Sequence, residues 1–342
     1  MDDFTRGLAS FGVPLMGAAD PPFVGRRLSS ADAGTIWWVD GTNGSDNNRG
    51  DNATYPLGAI DSAVNKCLPG DIIRVFPKRM AMTDTDPGSY AETVTLDVPQ
   101  VCIEGVSRGR TQGGLPQMKI GAGSTAMVTV QAPGCQILKM GFNGASSTGG
   151  GILLDDDGGT TTSAFGLEIA YCHFKNCKGH ATNGTLGGGI TWSTDGGGWQ
   201  TWFHHNRFYK NVCDICLIGT SGSVPQDVVI EDSVFSSPVL SVDVNLYLKG
   251  GGSGIAGLVI RRCSFPQGIP NITSGTVKRY VDLTGCVGTI EDCRFGLIVS
   301  NTGSEGTFAA TGTAAFIPAT VFIVGCRGET TTVNEMGEIY RA

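Results

Sequence analysis

A short pattern of apolar and polar positions recurs between residues 137 and 328. Each copy has an apolar residue, two variable residues, a small or sulfur-bearing residue, one variable residue and, with one exception, Phe. The middle positions lie 32, 34, 27, 30, 30 and 33 residues apart, a period typical of solenoids and propeller blades. The copies are Ile137…Met140…Phe142, Ile169…Cys172…Phe174, Phe203…Asn206…Phe208, Ile230…Ser233…Phe235, Ile260…Cys263…Phe265, Ile290…Cys293…Phe295 and Ile323…Cys326…Gly328.

This period favours a parallel β-helix among the repeat architectures. Leucine-rich, ankyrin and tetratricopeptide units carry helices or fixed consensus positions that this repeat lacks, and a propeller blade needs about 40 residues or more. Three short strands with their turns fit the period, while loops absorb its variation. Equivalent positions then stack from coil to coil, so the middle residues form one inward column and the Phe residues form another.

The residues between the two columns predict a charged outer face. Glu231-Asp232 would lie one coil from Arg261-Arg262, which would lie one coil from Glu291-Asp292. Stacked strands favour this alternation, because like charges opposite each other destabilise a sheet. The alternation plays no part in defining the repeat, so it supports the β-helix independently.

Residues 36–106 predict a separate N-terminal module with strands near 36–40, 71–76, 90–96 and 101–105. Between the first two strands, residues 59–67 have apolar positions at helical spacing, which predicts a helix. Pro69-Gly70 follows as a stop signal. The chain is therefore divided into an arm (1–35), a cap with the first coils (36–106), further coils (107–328) and a tail (329–342).

The first 35 residues predict an extended arm that is anchored by apolar side chains. Gly and Pro punctuate this segment, and a disordered terminus is the alternative interpretation. Disordered segments are usually poor in aromatic residues, so we expect the arm to lie on its own domain or on a partner. The expected anchors are Phe4, Leu8, Phe11, Leu15 and Phe23.

Composition and charge exclude several classes of protein. Gly reaches 52 residues without a collagen period, while 40% hydrophobic residues permit a core. The net charge is −7 with no basic stripe, which argues against nucleic-acid binding. No apolar run approaches the roughly 20 residues of a membrane span, and the opening residues lack a signal-peptide pattern. Without such a signal, the eleven Cys are expected to be free thiols from a reducing cytoplasm.

Four motifs within residues 36–106 carry a family resemblance: Trp38-Val39-Asp40-Gly41 with Asn43-Gly44-Ser45-Asp46, Ile60 with Ala63-Val64, Pro69-Gly70-Asp71-Ile72-Ile73-Arg74-Val75, and Tyr90 with Glu92. They resemble the start of pectin-lyase-like β-helix proteins. The resemblance implies an all-β, single-stranded, right-handed parallel β-helix whose short helix caps the first coil. That superfamily includes polysaccharide lyases, glycoside hydrolases and surface proteins of tailed phages, so fold alone leaves function open.

The opening segment has a second resemblance. Met1-Asp2-Asp3-Phe4, Gly7-Leu8, Phe11-Gly12 and Pro14, followed directly by a β-helix, are similar to virion proteins of tailed phages. The resemblance implies a structural virion protein, most like a capsid decoration or head-surface protein. Phage β-helix proteins are usually trimers, and cyclic symmetry suits a threefold position on a shell.

Acidic residues offer two candidate sites. Asp155-Asp156-Asp157 beside Gly158-Gly159 would bind a cation weakly on a turn, although a solvated turn is favoured. Glu231-Asp232 and Glu291-Asp292 would line a groove suited to glycoside hydrolysis. Arg261-Arg262 lies between these pairs and neutralises them, which favours structural ladders.

Histidine and cysteine residues also have two interpretations each. His204 and His205 lie on a repeat strand, with one facing out and one in, or with both flanking a bend. A small outward patch of His173, His205 and Arg207 is expected to be a polar surface ladder rather than a catalytic site. A zinc site is the less favoured interpretation of Cys172, Cys177, His180, Cys213 and Cys216, because Cys172 already belongs to the inward column.

Three tryptophans lie among the glycine runs of residues 184–202. Trp192, Trp199 and Trp202 would form a sugar-stacking platform or a subunit contact, or they would pack within their own loop. We predict a structural virion protein, a homotrimer that contacts the major capsid or another virion protein through its arm, with no cofactor or metal. The alternatives are a tailspike-like polysaccharide-degrading enzyme and a noncatalytic β-helix that binds host-surface glycan.

Overall fold

The structure, a computed structural model, describes most residues between 34 and 329 and a few outside that range. Near the N-terminus, strands β1 (Ala9–Ser10) and β2 (Val13–Pro14) pair antiparallel. The described ranges are 9–10, 13–14, 34–79, 88–106, 114–120, 126–144, 150–155, 163–177, 188–193, 198–217, 224–236, 244–248, 254–266, 279–295, 315–329 and 336–338.

Three sheets account for the other strands, which are numbered in chain order. Sheet I has ten strands: β3 (Ile36–Val39), β4 (Ile72–Val75), β7 (Cys102–Gly105), β10 (Gln136–Leu138), β13 (Glu168–Ala170), β16 (Trp202–His204), β19 (Val229–Glu231), β22 (Ala256–Arg261), β25 (Val287–Glu291) and β28 (Val321–Val324). Sheet II has ten strands: β5 (Ser89–Tyr90), β8 (Gln117–Lys119), β11 (Gly141–Asn143), β14 (His173–Lys175), β17 (Arg207–Tyr209), β20 (Val234–Ser236), β23 (Ser264–Phe265), β26 (Arg294–Phe295), β29 (Arg327–Glu329) and β30 (Met336–Glu338). Sheet III has eight strands: β6 (Val94–Leu96), β9 (Ala126–Val130), β12 (Gly150–Leu154), β15 (Ile190–Trp192), β18 (Cys213–Leu217), β21 (Val244–Tyr247), β24 (Arg279–Asp282) and β27 (Ala315–Phe316).

Successive strands of each sheet belong to successive coils of the chain. The chain passes from β10 to β11 to β12 and then returns to sheet I at β13, which pairs in parallel with β10. Neighbouring strands of the three sheets are parallel except at the end of sheet II, where β29 and β30 pair antiparallel. The all-β parallel solenoid predicted from the repeat is thus confirmed. Its right-handed sense stays a prediction, based on the family resemblance and on the chirality of parallel crossovers.

The predicted inward columns lie in the core. The six Phe rings stack with centroids 4.7 to 4.9 Å apart, which matches the spacing of hydrogen-bonded strands. A Cβ atom at Gly189, which directly precedes β15, would lie 3.0 Å from Phe208 Cε1, so this glycine leaves room for the rings. The middle residues of all seven repeats, Met140, Cys172, Asn206, Ser233, Cys263, Cys293 and Cys326, are also buried.

A single residue makes the tight turn from sheet I to sheet II. It has positive φ, the left-handed region that only Gly adopts readily. In the seven coils from β10 onward, Gly325 occupies it once, and larger residues occupy it in the other six: Lys139, Tyr171, His205, Asp232, Arg262 and Asp292. This turn interrupts the in–out alternation of the strands. Neighbouring side chains on its two sides therefore remain on the outer surface together.

Helix α1 (Ile60–Val64) is shorter than the predicted 59–67 and lies at the N-terminal end of the stack. It contacts β3 and β6, the first strands of sheets I and III. Both carboxylate oxygens of Glu92 accept from the backbone N–H groups of Ile60 and Asp61, which satisfies donors that a helix start leaves unpaired. This position suits the cap that the resemblance implies, and the capping role stays a prediction.

The motif residues that carry the resemblance tie the first coils together. Asp71 accepts from the backbone N–H of Thr35 and Leu68 and from Trp37 Nε1. The Tyr90 hydroxyl donates to the carbonyl of Phe76 at 2.7 Å. These residues therefore have structural roles. The predicted arm anchors Phe4, Leu8, Phe11, Leu15 and Phe23 lie outside the described residues.

Candidate functional site

The outer face of sheet I carries the charged ladder that the repeat predicts. Glu231 is in register with Arg261, and Arg261 with Glu291, so the alternation is confirmed. Arg261 Nε lies 2.5 Å from Glu231 Oε2, and Arg262 Nη2 lies 2.6 Å from the same oxygen and 2.7 Å from Asp232 Oδ2. Within the described part of the chain, both arginines pair with the preceding coil and neither pairs with the following one.

An exposed tryptophan lies beside this ladder. Trp202 is in register with Glu168 on one side and Val229 on the other. Its Nε1 donates to Glu231 Oε1 at 2.6 Å, and its ring stacks on His204 with centroids 4.0 Å apart. The residue is 43% exposed. The indole is therefore held in one orientation while much of it remains accessible.

Two histidines and an acid complete this surface. His204 Nε2 lies 3.0 Å from Glu168 Oε1, and His204 Nδ1 lies 2.9 Å from His205 Nδ1. Glu168 Oε2 accepts from Gln136 Nε2 at 2.7 Å, and the Tyr171 ring stacks on His205 at 4.8 Å. His204 ends β16 and His205 is itself the positive-φ residue of the tight turn, so only the bend of the second predicted arrangement is present. We define the Trp202 patch as Glu168, Tyr171, Trp202, His204, His205 and Glu231.

The arginines beside the patch favour the ionised forms of Glu231 and of the adjacent Asp232. Burial alone would raise the pKa of Glu231, but hydrogen bonds from Arg261 and Trp202 and the nearby arginine charges lower it. The hydrogen bond from Arg262 lowers the pKa of Asp232. Glu231 is therefore a buried, ionised group that two arginines and the Trp202 indole hold in place.

The predicted group of three tryptophans is divided by the fold. Trp192 is fully buried in the core at β15, where its ring lies 5.4 Å from that of Phe203. Its expected role as a surface contact is therefore wrong, because its position on β15 points into the solenoid. Trp199 is 40% exposed, and its Nε1 donates to the carbonyl of Val224. Trp199 and Trp202 remain candidates for a surface contact.

Other predicted candidates are not gathered into a site. Asp155 lies at the end of β12, where it accepts from Gln131 Nε2 at 3.4 Å, while Asp156 and Asp157 lie outside the described residues. Cys172 and Cys177 are buried free thiols, and His180 is not described. Among the residues that the structure describes, no three His, Cys, Asp or Glu side chains are placed so that they could hold a metal ion together.

His173 lies in register with Arg207 on sheet II. Burial, with Lys175 and Arg207 nearby, lowers the pKa of His173 to about 4.

In the part of the chain that the structure describes, no helix is long and apolar enough to span a membrane.

Sequence reasoning missed Glu168 and Tyr171 as members of the patch. A signal was present, because Glu168 directly precedes Ile169 and Trp202 directly precedes Phe203 in the repeat. Equivalent positions of adjacent copies stack, so the repeat already places Glu168 next to Trp202. The hydrogen bonds that join these side chains depend on rotamers, which a repeat does not specify.

Similarity to known proteins is found at the level of solved structures. No protein-family model matches the chain. No curated protein matches it either. Among solved structures, pectate lyase Pel9A is similar with a TM-score of 0.40 and 13% identity, over 90% of this chain and 79% of that one.

Two other solved structures are also similar to this chain. Rhamnogalacturonan lyase gives a TM-score of 0.41 at 11% identity, covering 90% of this chain and 88% of its own. Dettilon tailspike protein gives 0.25 at 11% identity, covering 90% of this chain and 69% of its own. These likenesses concern the parallel β-helix fold alone, which the strand pairing establishes by itself.

Proposed function

We propose that this protein is a structural scaffold of a virion surface whose Trp202 patch contacts glycan without cleaving it. The observation that carries the glycan contact is the exposed Trp202 ring, fixed by its hydrogen bond to Glu231 and flanked by carboxylates. Tryptophan is enriched in binding hot spots, because it presents a large apolar face with few rotatable bonds. The apolar face of a sugar ring matches such a surface, and the partly exposed carboxylate of Glu168 beside it is an acceptor for a sugar hydroxyl.

The same patch lacks the properties of a glycoside-cleaving pair. One carboxyl group of such a pair acts as a general acid and needs a raised pKa. Glu231 has a lowered pKa, because it accepts from Arg261 and Trp202. Its two arginine partners hold it as an ionised structural group. These contacts favour recognition over hydrolysis at this position.

The virion setting is proposed from the sequence. The anchored arm of residues 1–35 would attach the solenoid to the major capsid protein or to another virion protein, and the assembly would be a homotrimer. The charged ladder pairs acidic and basic residues of adjacent coils, and the core is apolar. Both features suit a rigid scaffold on a particle surface. The alternative is a tailspike-like polysaccharide lyase or glycoside hydrolase.

Binding of the full-length protein to a panel of immobilised bacterial glycans tests the glycan contact. We expect Trp202→Ala to weaken binding about 30-fold, as for a hot-spot tryptophan. Trp199→Ala is the matched control, since Trp199 is equally exposed but lies outside the patch. Equal binding by the wild type and Trp202→Ala would contradict the proposal. So would release of sugar fragments that is lost on substituting Asp155, Asp156 and Asp157 with Ala.

Decoration of particles tests the virion setting. We expect a variant lacking residues 1–35 not to bind capsids, while its far-ultraviolet circular dichroism spectrum remains that of the β-solenoid. Substituting Phe4 and Phe11 with Ala in the full chain is the milder variant and should weaken attachment. Particles that remain decorated by the shortened protein would overturn the arm's assignment.

A further inference from the structure

The outer face of sheet I is apolar and buried in its first coils. Ile72 of β4 is in register with Cys102 of β7, and Leu138 of β10 is in register with Ala170 of β13. Each of these four residues adjoins an isoleucine of the interior along its own strand, so its side chain points outward. The four side chains form a separate apolar cluster and are between 0% and 6% exposed. We call Ile72, Cys102, Leu138 and Ala170 the outer cluster.

The same face is accessible farther along the sheet. Following the register of Ile72 from strand to strand leads to Trp202 and, in the last strand, to Phe322. These two outward side chains are 43% and 66% exposed. Because an apolar side chain on the bare sheet remains accessible, the burial of the outer cluster requires a layer of protein above it.

The described residues supply an apolar layer at one end of the outer cluster. Among them, Tyr171 is the partly buried apolar side chain that packs against it. Tyr171 directly follows Ala170, three strands away from Ile72. The part of the cluster formed by Ile72 and Cys102 therefore needs an apolar partner from elsewhere in the chain.

The N-terminal arm enters the solenoid beside Ile72. The N–H of Ile72 donates to the carbonyl of Thr35 at 2.9 Å, and Asp71 Oδ1 accepts from the N–H of Thr35 at 2.6 Å. A Cβ atom at Gly34 would clash with the carbonyl oxygen of Gly70, so this close approach needs glycine. The arm thus ends against the start of β4, at the edge of the outer cluster.

The arm has the length and the composition to cover the cluster. From β4 to β13 the cluster extends over three strand spacings, roughly 14 Å, which about five extended residues span. Residues 15–33 are long enough for this, and they include Leu15, Phe23 and Leu28. The loop of residues 107–113, which follows β7, has no apolar side chain. Burial of apolar surface on both sides of the contact therefore favours the arm.

We propose that residues 15–33 pack on the outer cluster of their own chain. This contact joins the base of the arm to the outer face of sheet I and leaves residues 1–14 available to a partner. The arm is then a two-part element, in which the second part binds the solenoid and the first part binds the partner. The inference is independent of the glycan contact, since the outer cluster and the Trp202 patch share no residue.

Cys102 is a native reporter of this contact, because its thiol faces outward and is 2% exposed. Maleimide labelling of the folded full-length chain, followed by peptide mass spectrometry, measures its accessibility. We expect Cys102 to be protected in the wild type. In the variant with both Leu15→Glu and Phe23→Glu, it should be labelled at least about tenfold faster, because the layer above it opens.

Two controls accompany this measurement. Cys216 lies between two interior residues of β18, so it is also a buried thiol that points outward, and it should remain protected in both proteins. A variant with Phe4→Glu and Phe11→Glu should leave Cys102 protected. Rapid labelling of Cys102 in the wild type would overturn the proposal. So would continued protection in the Leu15→Glu, Phe23→Glu variant, whose circular dichroism shows whether the solenoid is folded.

Photochemical cross-linking identifies the segment that covers the cluster. With benzoylphenylalanine in place of Phe23 in the full chain, we expect cross-links within one chain to the peptides that carry Ile72, Cys102 or Leu138. Cross-links between two chains would place the arm of a second copy there and overturn the proposal, as would cross-links confined to other peptides. Replacing residues 107–113 with glycine and serine should leave Cys102 protected. Exposure of Cys102 by that change alone would assign the cover to the loop.

Discussion

In the interior of the solenoid and on the outer face of sheet I, equivalent positions of successive coils lie next to each other. The two regions differ in which side chains are neighbours. Inside, like stacks on like, as in the column of six Phe rings at 4.7 to 4.9 Å. Outside, the charged and aromatic side chains meet unlike neighbours: Glu168 meets Trp202 and His204, and Glu231 meets Arg261. Stacked apolar side chains stabilise the core by burying one another, whereas stacked side chains of like charge repel each other. Differences between coils therefore collect on the outer face, where they can specify a ligand.

Removing one ring from the interior column should give the largest effect on stability. Phe208 stacks between Phe174 and Phe235 and is fully buried. Phe208→Ala should lower the free energy of unfolding by about 3–5 kcal/mol, as large-to-small core substitutions do. Urea unfolding followed by circular dichroism measures the change.

The next residue provides a matched control for this substitution. Tyr209 lies on the same strand but faces outward and is exposed. Tyr209→Ala should change the free energy of unfolding by less than about 1 kcal/mol. Equal losses in the two variants would remove the distinction between the interior and the outer face.

A carboxyl group is buried among the otherwise largely apolar residues of the interior, and it should make the free energy of unfolding depend on pH. Asp214 is 1% exposed and accepts from Asn211 Nδ2 at 2.9 Å and Asn245 Nδ2 at 2.6 Å. Burial raises its pKa from the ordinary 3.8 to about 7, against the two amide hydrogen bonds. The folded state then binds more protons than the unfolded chain between about pH 4 and pH 7, so stability falls as pH rises through that window.

Asp214→Asn tests whether Asp214 causes this pH dependence, because Asn cannot ionise. The variant should lose the fall in stability between pH 4 and pH 7, and at pH 8 it should exceed the wild type by a few kcal/mol. The amide of Asn245 can turn to accept from the new side chain. Urea unfolding at several pH values gives the slope of the free energy of unfolding against pH for the wild type and for the variant. Identical slopes would show that Asp214 ionises in the folded state as readily as in the unfolded chain.

His173 should contribute a smaller pH effect of opposite sign. Burial, with Lys175 and Arg207 nearby, lowers its pKa from 6.5 to about 4. The unfolded chain binds more protons between these values, so the contribution of His173 is lost as pH falls from about 6.5 to 4. His173→Gln should remove about 3 kcal/mol of this acid destabilisation, against about 4 kcal/mol for Asp214. Unchanged acid sensitivity in the variant would contradict the shift.

The repeat predicted the fold and both inward columns, because each copy carries the same apolar positions. It also predicted the charge alternation from Glu231 to Arg261 to Glu291. Trp192 was misplaced, since its loop composition suggested exposure while its register with Leu154 and Leu217 places it inside. The contact between His204 and His205 required the positive φ of His205, which no local sequence signal indicates.

Quenching of tryptophan fluorescence by a bound glycan tests the central claim most directly. Trp202 lies on the outer face and Trp192 in the interior, so only the former can respond to a ligand that covers the patch. We expect quenching in the wild type and in Trp199→Phe, and its loss in Trp202→Phe with an unchanged unfolding transition. Undiminished quenching in Trp202→Phe would contradict the account.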